Sequence, residues 1–302
     1  MNDSRYHLTF KVEQEQLFRD ALAMWGISKR ALTAIKFQGG QLLVNDAEQN
    51  VRHMLQVNDL VTIIFPPEEI SDGLVPVSEK LNIIFEDHEL LVIAKQPYQN
   101  TIPSHDHPTR SVANFVVAHF QQQDLASTVH VVTRLDRDTS GLMCIAKHRH
   151  IHHLMSEAQK RHDIHRTYEA IVHGHMELHQ QEIIAPIGRK EGSIIERVVR
   201  DDGQFAHTDV YVLKRTTIQG EAITHIRLKL HTGRTHQIRV HMASIGHPLV
   251  GDTLYGGNRV LIDRQALHCV ELQLHHPITK QYYSWQIALP KDMQSLLIEQ
   301  MS

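Results

Sequence analysis

The sequence predicts an α+β fold: a largely antiparallel mixed sheet flanked by helices and loops in a large unit, preceded by a small α/β unit. Three observations carry this. Segments with strand patterning outnumber helical ones and do not alternate with them regularly, which argues against a doubly wound parallel sheet. The apolar pattern stops at a stretch from Pro66-Pro67-Glu68-Glu69 to Pro76 that is rich in prolines and acids and reads as a linker. The 302 residues suffice for one large domain plus a small one. The expected division is therefore 1–66, a linker at 67–80, and 81–302.

In the first unit Leu17, Phe18, Ala21, Leu22 and Trp25 recur at helical spacing, and Gly26 ends that helix. Ser28 is placed to cap a second helix carrying Lys29, Arg30 and Lys36 on or near one side. Gly39-Gly40 breaks it; residues 42–44 read as a strand, Asn45-Asp46 as a turn and 60–65 as a closing strand. In the second unit, residues 83–85 and 90–94 flank Glu86-Asp87-His88-Glu89 as a hairpin. Thr109 is the expected cap of a helix burying Val112, Phe115, Val116 and Phe120. A short buried strand at 142–146 precedes a polar helix at about 148–162 and a strand at 168–172 that ends at Gly174. Strands follow at 194–199, 210–213 and 223–230. A helix then opens near Thr235 and ends before Gly246, with Ile238, Met242 and Ile245 as its apolar stripe. The tail holds strands around 267–274 and 282–288 and a short helix from about Asp292.

Composition narrows the function classes. Apolar content of 41% and charged content of 22% are ordinary for a globular chain. No apolar run approaches the roughly 18 residues of a membrane span, and MNDSRYHLTFKVEQEQ lacks the basic start and apolar centre of a signal peptide. Cys144 and Cys269, far apart in apolar settings, read as reduced and structural, so a cytoplasmic location is expected. The net charge of −3 means that any polyanion must be met by locally concentrated cations. Arg134, Arg137, Lys147, Arg149, Lys160, Arg161 and Arg166 crowd one region. Histidine is the outlier, with 25 copies. Within His148-Arg-His-Ile-His-His153, His148 and His152 share a helix face at metal-ligand spacing. No carboxylate or cysteine is spaced to complete a site there and Arg149 would repel an ion, so a solvated helix face is expected and no metal.

Two stretches carry the chemistry. In Thr133-Arg134-Leu135-Asp136-Arg137-Asp138-Thr139-Ser140-Gly141-Leu142, a carboxylate follows an Arg-Leu pair on a strand-connecting loop, where site residues concentrate. The bland reading of Asp136 is a surface ion pair with Arg134 or Arg137. Against it stands the Thr-Ser-Gly turn, whose hydroxyls can hold the loop through bonds to the backbone. About a hundred residues on, Thr232-Gly-Arg-Thr-His-Gln-Ile-Arg-Val-His241 adds more arginine. One buried-looking acid among several arginines suits covalent or electrostatic work on an anionic substrate.

VVTRLDRDTSGLMCIAK at 131–147 resembles the catalytic stretch of the RluA family of RNA pseudouridine synthases, a His-Arg-Leu-Asp followed by two variable residues and Thr-Ser-Gly. RTYEAIVHG at 166–174, TGRTHQIRVHMASIGHPLVGDTLYG at 232–256 and RQALHCVELQLHHP at 264–277 resemble the same family in the same order. The likeness spans about residues 81–290, and ordered segments of this length make chance agreement negligible. It implies the pseudouridine synthase fold and isomerisation of uridines in structured RNA, ribosomal before transfer RNA, by a monomer needing no cofactor or metal. It assigns Asp136 as the catalytic carboxylate, Tyr168 as the base platform and proton-transfer candidate, and Arg239 as the partner of Asp136. Arg134 is implied to fill the gap left by the flipped base. Arg234 is left between phosphate contact, aided by a helix start near Thr235, and a plain surface arginine. Whether Asp136 acts as nucleophile, proton acceptor or electrostatic partner stays open. Two departures stand out: Thr133 replaces the usual His, and KQPYQNTIPSHDHPTRSVANFVVAHF at 95–120 runs off the family's usual pattern, with no Lys-Pro-Ala-Gly, so RNA contacts around residues 96–108 are expected to differ. The first unit resembles an S4 RNA-binding domain, with Lys29, Arg30 and Lys36 as its phosphate contacts. Two rivals remain at this stage. A non-catalytic RNA-binding or RNA-folding protein would share the scaffold. A glycoside or nucleoside hydrolase would need a second carboxylate near Asp136.

Overall fold

A computed structural model describes residues 5–104 and 107–298. Of the unusual 96–108 segment, His105 and Asp106 lie outside the described residues, as do the first four residues of the N-terminal stretch.

The first unit opens with β1 (His7–Lys11), β2 (Gln16–Leu17), α1 (Phe18–Met24) and α2 (Lys29–Phe37). It closes with β3 (Gln41–Val44), β4 (Ala47–Glu48), β5 (Met54–Leu55) and β6 (Leu60–Ile64). β1, β6, β3 and β4 form an antiparallel sheet in that order, and β2 pairs with β5. The helices seal one side because Phe18, Ala21, Leu22 and Ile35 point inward. Ser28 caps α2 as its sequence position predicts, its hydroxyl accepting from Ala31 N at 3.1 Å. Asn45 and Asp46 take φ values of 49° and 64°, which these side chains tolerate, and reverse the chain between β3 and β4.

The linker has no helix or strand, yet it is fastened down. Asn114 Nδ2 donates to Val75 O at 2.7 Å and Val77 N to Asn114 O at 3.0 Å, laying it along the second unit. Glu68 is buried at the start of a later helix, where its Oε1 accepts from Arg149 N at 2.8 Å. A carboxylate at a helix N-terminus meets the unpaired N–H groups and the positive end of the dipole.

The second unit begins with β7 (Ile83–Glu86), β8 (Leu90–Lys95), α3 (Val112–Gln122), β9 (His130–Val131), β10 (Ser140–Ala146) and α4 (Arg149–Lys160). Next come β11 (His165–His173), β12 (Gln180–Ile184), β13 (Ile187–Arg189), β14 (Arg197–Val199), β15 (His207–Ile218) and β16 (Glu221–Leu230). It ends with α5 (Gln237–Ser244), β17 (Leu267–His275), β18 (Tyr282–Gln286) and α6 (Lys291–Gln294). One sheet runs β12-β15-β16-β11-β17-β10-β8-β7, with β18 added to β17 and β9 to β10. Among these pairings only β10 with β17 is parallel, so the sheet is mixed and largely antiparallel as expected. β8 and β10 are buried along their whole length, which is why they read as unbroken apolar runs.

Several expectations need correction. The α3 cap is Ser111, not Thr109: Ser111 and Asn114 bond reciprocally in a capping box, and residue 111 directly precedes the first helical turn. The 194–199 strand starts only at Arg197, because the Ser193 hydroxyl takes the Glu196 N–H and turns the preceding residues. The histidine tract is not a solvated face. His148 stacks on Tyr6 at 4.6 Å between ring centres, and His150 stacks on Phe65 at 4.9 Å; both histidines are buried. They carry the contact between the two units. Lys147 is likewise no surface charge, being buried in an ion pair with Glu86 at 2.9 Å.

Candidate active site

A cleft of about 1060 Å³ opens where the 132–139 loop, the start of β11 and residues 230–239 meet. Among the described residues that line it, Asp136 is the only carboxylate, and Arg134, Arg137, Lys160, Arg166, Arg234 and Arg239 share the lining. The loop bearing Asp136 leads straight into β10, so the parallel pairing of β10 with β17 fixes its height above the sheet.

That loop is clamped by its carbonyls. Thr101 Oγ1 donates to Leu135 O at 2.8 Å, Lys95 Nζ to Arg137 O at 2.8 Å, and Arg264 Nη1 to Asp138 O at 3.1 Å. Burial pushes the Lys95 ammonium down to about 7, against the pull of Asp138 and Asp136. The Thr139 and Ser140 hydroxyls were expected to bond backbone. They meet side chains of the opposing strand segment instead: Gln265 Nε2 donates to Thr139 Oγ1, and Ser140 Oγ lies 2.8 Å from His268 Nδ1. Thr133, where a His was expected, points away from the cleft; its buried hydroxyl accepts from Cys144 N at 2.9 Å and ties the loop to β10.

Arg239 stands on the first turn of α5 and donates from Nη1 to Asp136 Oδ2 at 3.1 Å. The rest of its guanidinium forms a fork with Asp252: Nε to Oδ2 at 2.6 Å and Nη2 to Oδ1 at 2.8 Å. The Tyr255 ring covers it, 4.9 Å from the guanidinium carbon. Burial opposes the charge on Arg239, but Asp252 and Asp136 outweigh it and hold the guanidinium firmly protonated. The result is a chain Asp252–Arg239–Asp136 with its inner end buried and its outer carboxylate 31% exposed, so Asp136 is less buried than its sequence setting implied. A bidentate fork orients the guanidinium, and the guanidinium orients Asp136.

His236 completes the group. It takes φ 57°, in the left-handed region, directly before α5. Its Nδ1 lies 2.8 Å from the Tyr255 hydroxyl and its Nε2 3.8 Å from Asp136 Oδ2. Tyr255 Oη also accepts from Arg197 N at 3.0 Å, so it ties His236 to the start of β14. Burial lowers the imidazole's proton affinity, although Asp136 pulls the other way.

Tyr168 lines the cleft from β11 and is otherwise buried beside Cys269; burial raises its phenol. The β11 pairing with β17 slips between Thr167 and Tyr168, an irregularity of the kind that re-aims a side chain at a site. Arg134 is exposed at the mouth. Arg234 turns its Nε onto Phe205 O at 2.9 Å. α5 begins at Gln237, two residues past Thr235, and the Gln237 side-chain oxygen accepts from Arg234 N and from the Thr232 hydroxyl. Lys29, Arg30 and Lys36 are exposed on α2 and do not line the cleft. Asp252, His236, Tyr255, Lys95, Thr101 and Arg264 were not singled out from sequence, although Asp252 and Tyr255 fall inside the Gly-Asp-Thr-Leu-Tyr-Gly run of a recognised segment. Cys144 and Cys269 are free and buried, as expected. Among the described residues no helix is long and apolar enough to cross a membrane.

The fold and the carboxylate in an arginine-rich cleft define an enzyme class that comparison with known proteins bears out. Residues 89–244 match the family model for RNA pseudouridylate synthase. The chain is 49% identical over 272 residues to "Uncharacterized RNA pseudouridine synthase YjbO" of Bacillus subtilis (strain 168), covering 90% of this chain and 95% of that protein. It is 35% identical over 275 residues to ribosomal large subunit pseudouridine synthase D of Buchnera aphidicola subsp. Acyrthosiphon pisum (strain APS), covering 86% of each. Among solved structures, human RNA pseudouridylate synthase domain containing 1 aligns with a TM-score of 0.59 and 25% identity, over 70% of this chain and 85% of that one. The chain belongs to the RNA pseudouridylate synthase family. Its activity class is that of an RNA pseudouridine synthase.

Proposed function

We propose that this chain isomerises uridines of ribosomal RNA to pseudouridine, with Asp136 as the catalytic carboxylate. The observation that carries this is the isolation of Asp136, which is the lone carboxylate among the described residues of a cationic cleft, with Arg239 and His236 both addressing its Oδ2. Oδ1 is left for the substrate. Breaking an N-glycosidic bond builds positive character on the anomeric carbon, and an oriented, ionised carboxylate stabilises it. A hydrolase of the two-carboxylate kind is disfavoured, because Asp252 is consumed by Arg239 and Asp138 does not line the cleft.

Tyr168 and Arg134 fit the handling of a flipped uridine, the first as platform and the second at the mouth. The large-subunit ribosomal names of relatives such as the Buchnera protein favour ribosomal over transfer RNA. The first unit, read as S4-like, contributes Lys29, Arg30 and Lys36 to phosphate binding, and Arg234 adds to the cleft's charge. A cytoplasmic monomer without metal or cofactor in its chemistry is the corresponding reading. The test maps pseudouridine in ribosomal and transfer RNA from cells carrying the wild-type gene, no gene, or Asp136→Asn. A ribosomal site lost in the deletion and not restored by the variant is expected. Restoration by Asp136→Asn would remove Asp136 from the chemistry, and loss confined to transfer RNA would replace the substrate.

A further inference from the structure

Three metal-ligating side chains, His207, Asp209 and His231, gather beside the cleft, which His231 lines, and Glu182 stands next to them. In β15, His207 and Asp209 are two residues apart and so project from the same face. Glu182 of β12 lies opposite Asp209. His231, one residue past β16, lies opposite His207 and donates its N–H to the His207 carbonyl at 3.2 Å. Cross-strand partners share a face, so the register alone assembles the group. The side chains then close on one another. His231 Nε2 is 2.8 Å from Asp209 Oδ2, and His207 Nε2 is 3.2 Å from Asp209 Oδ1 and 2.8 Å from Glu182 Oε1. The two imidazoles stack at 4.0 Å. His207 Nε2 is buried yet makes no hydrogen bond among the described residues, although acceptors surround it. Lys229, which the register sets beside Asp209, directs its ammonium at the Tyr211 ring instead.

We propose that His207, Asp209 and His231, joined by Glu182, bind one divalent transition-metal ion of the zinc type. Ligands about 2.0–2.1 Å from a tetrahedral ion lie about 3.3 Å apart, so the 2.8 and 3.2 Å separations of His231 and His207 from Asp209 need only small adjustment, while the exposed Glu182, 2.8 Å from His207 Nε2, swings in as the fourth ligand. Two imidazoles with two carboxylates select zinc, nickel or copper over magnesium or calcium, which prefer shells made of oxygen. The sequence hides the site because only His207 and Asp209 are near in the chain, while Glu182 and His231 arrive more than twenty residues away on either side. His231 also lines the cleft, and the Thr232 hydroxyl accepts from His207 N at 3.0 Å. The ion would therefore cancel two negative charges on the wall beside Arg234.

The test titrates zinc chloride into metal-free, full-length protein without RNA, followed by calorimetry, so the outcome is independent of the RNA reading. One saturating site per chain is expected. His231→Gln and Asp209→Asn should each weaken it by more than the roughly 10–100-fold that loss of an outer-shell partner costs. His275→Gln, an exposed histidine elsewhere, should leave it unchanged, and magnesium chloride should not compete. With 25 histidines some weak zinc binding is unavoidable, so the variants decide. His231 is 48% exposed and Asp209→Asn is isosteric, so unaltered metal-free melting is expected of both. Absence of a saturable site, wild-type affinity in the two variants, or competition by equimolar magnesium overturns the proposal.

Discussion

At the scale of single residues, Asp252 lies outside the lining of the cleft and bears on the proposed chemistry through Arg239. It accepts from Nε and Nη2 along one edge of the Arg239 guanidinium. Asp252→Ala leaves a buried arginine without its fork, which costs about 3–5 kcal/mol of stability, and frees Arg239 to swing away from Asp136. Turnover should fall with little change in KM, and urea unfolding should shift together with it. Wild-type single-turnover rates in a destabilised variant would show that Asp136 is oriented by something else. Only part of this group is legible in the chain. Asp136, Tyr168 and Arg239 lie in runs that resemble known ones, whereas the Asp252–Arg239 fork depends on where the 246–256 turn lands after α5. No spacing rule encodes that. Thr133 shows the reverse case: a departure from pattern that looks chemical in sequence proves to be a buried tie to β10.

At the scale of elements, Gly141 is where β10 lies against the Cys269 backbone of β17 with no room for a side chain. It takes φ 121°, and a Cβ there would come within 2.4 Å of the Cys269 backbone. Gly141→Ala should force β10 from β17 and cost about 3 kcal/mol or more, since neither backbone can yield. The check is the denaturant midpoint, with the cleft monitored by loss of the Asp136 activity. A midpoint within error of wild type would mean that the strands are not locked as described. Strands and helices with strong periodicity were readable, including the β7–β8 hairpin, α2 with its Ser28 cap, and α5. β1 and β12 were not, because each is a five-residue strand with a single buried residue, too short a pattern to stand out. α4 was read correctly as a helix and wrongly as solvated: histidine counts as polar in a pattern, while here Tyr6 and Phe65 cover its first turn.

At the scale of the whole molecule, that same covered turn couples the two units to pH. Burial pushes His148 down to about 4, against Glu68, and His150 down to about 3. Both imidazoles ionise near 6.5 once unfolded, so the unfolded chain binds more protons below that pH and stability falls as pH falls from about 6.5 toward 4. Each should cost roughly 2 kcal/mol by pH 5. His150→Phe, which keeps the stack on Phe65, should flatten the dependence in urea melts at pH 7, 6 and 5; an unchanged slope would place the acid sensitivity elsewhere. The same interface decides how the first unit must be tested on RNA. Deleting it would strip Tyr6 and Phe65 from two buried histidines and, if carried to residue 70, remove Glu68 from the start of α4. A deletion would thus mix lost binding with lost folding. Exchanging Lys29, Arg30 and Lys36 for glutamine avoids this, because all three are exposed on α2 and make no contact with the second unit among the described residues. Each phosphate contact adds about 0.7–0.9 to the slope of log affinity against log salt. If the first unit grips RNA through these cations, the triple variant should bind more weakly at low salt and its slope should shrink by about 2–3 units. Melting and the modification rate at saturating RNA should stay at wild type. A slope that does not move would mean that the first unit serves the fold through its histidine contacts and leaves RNA to the cleft.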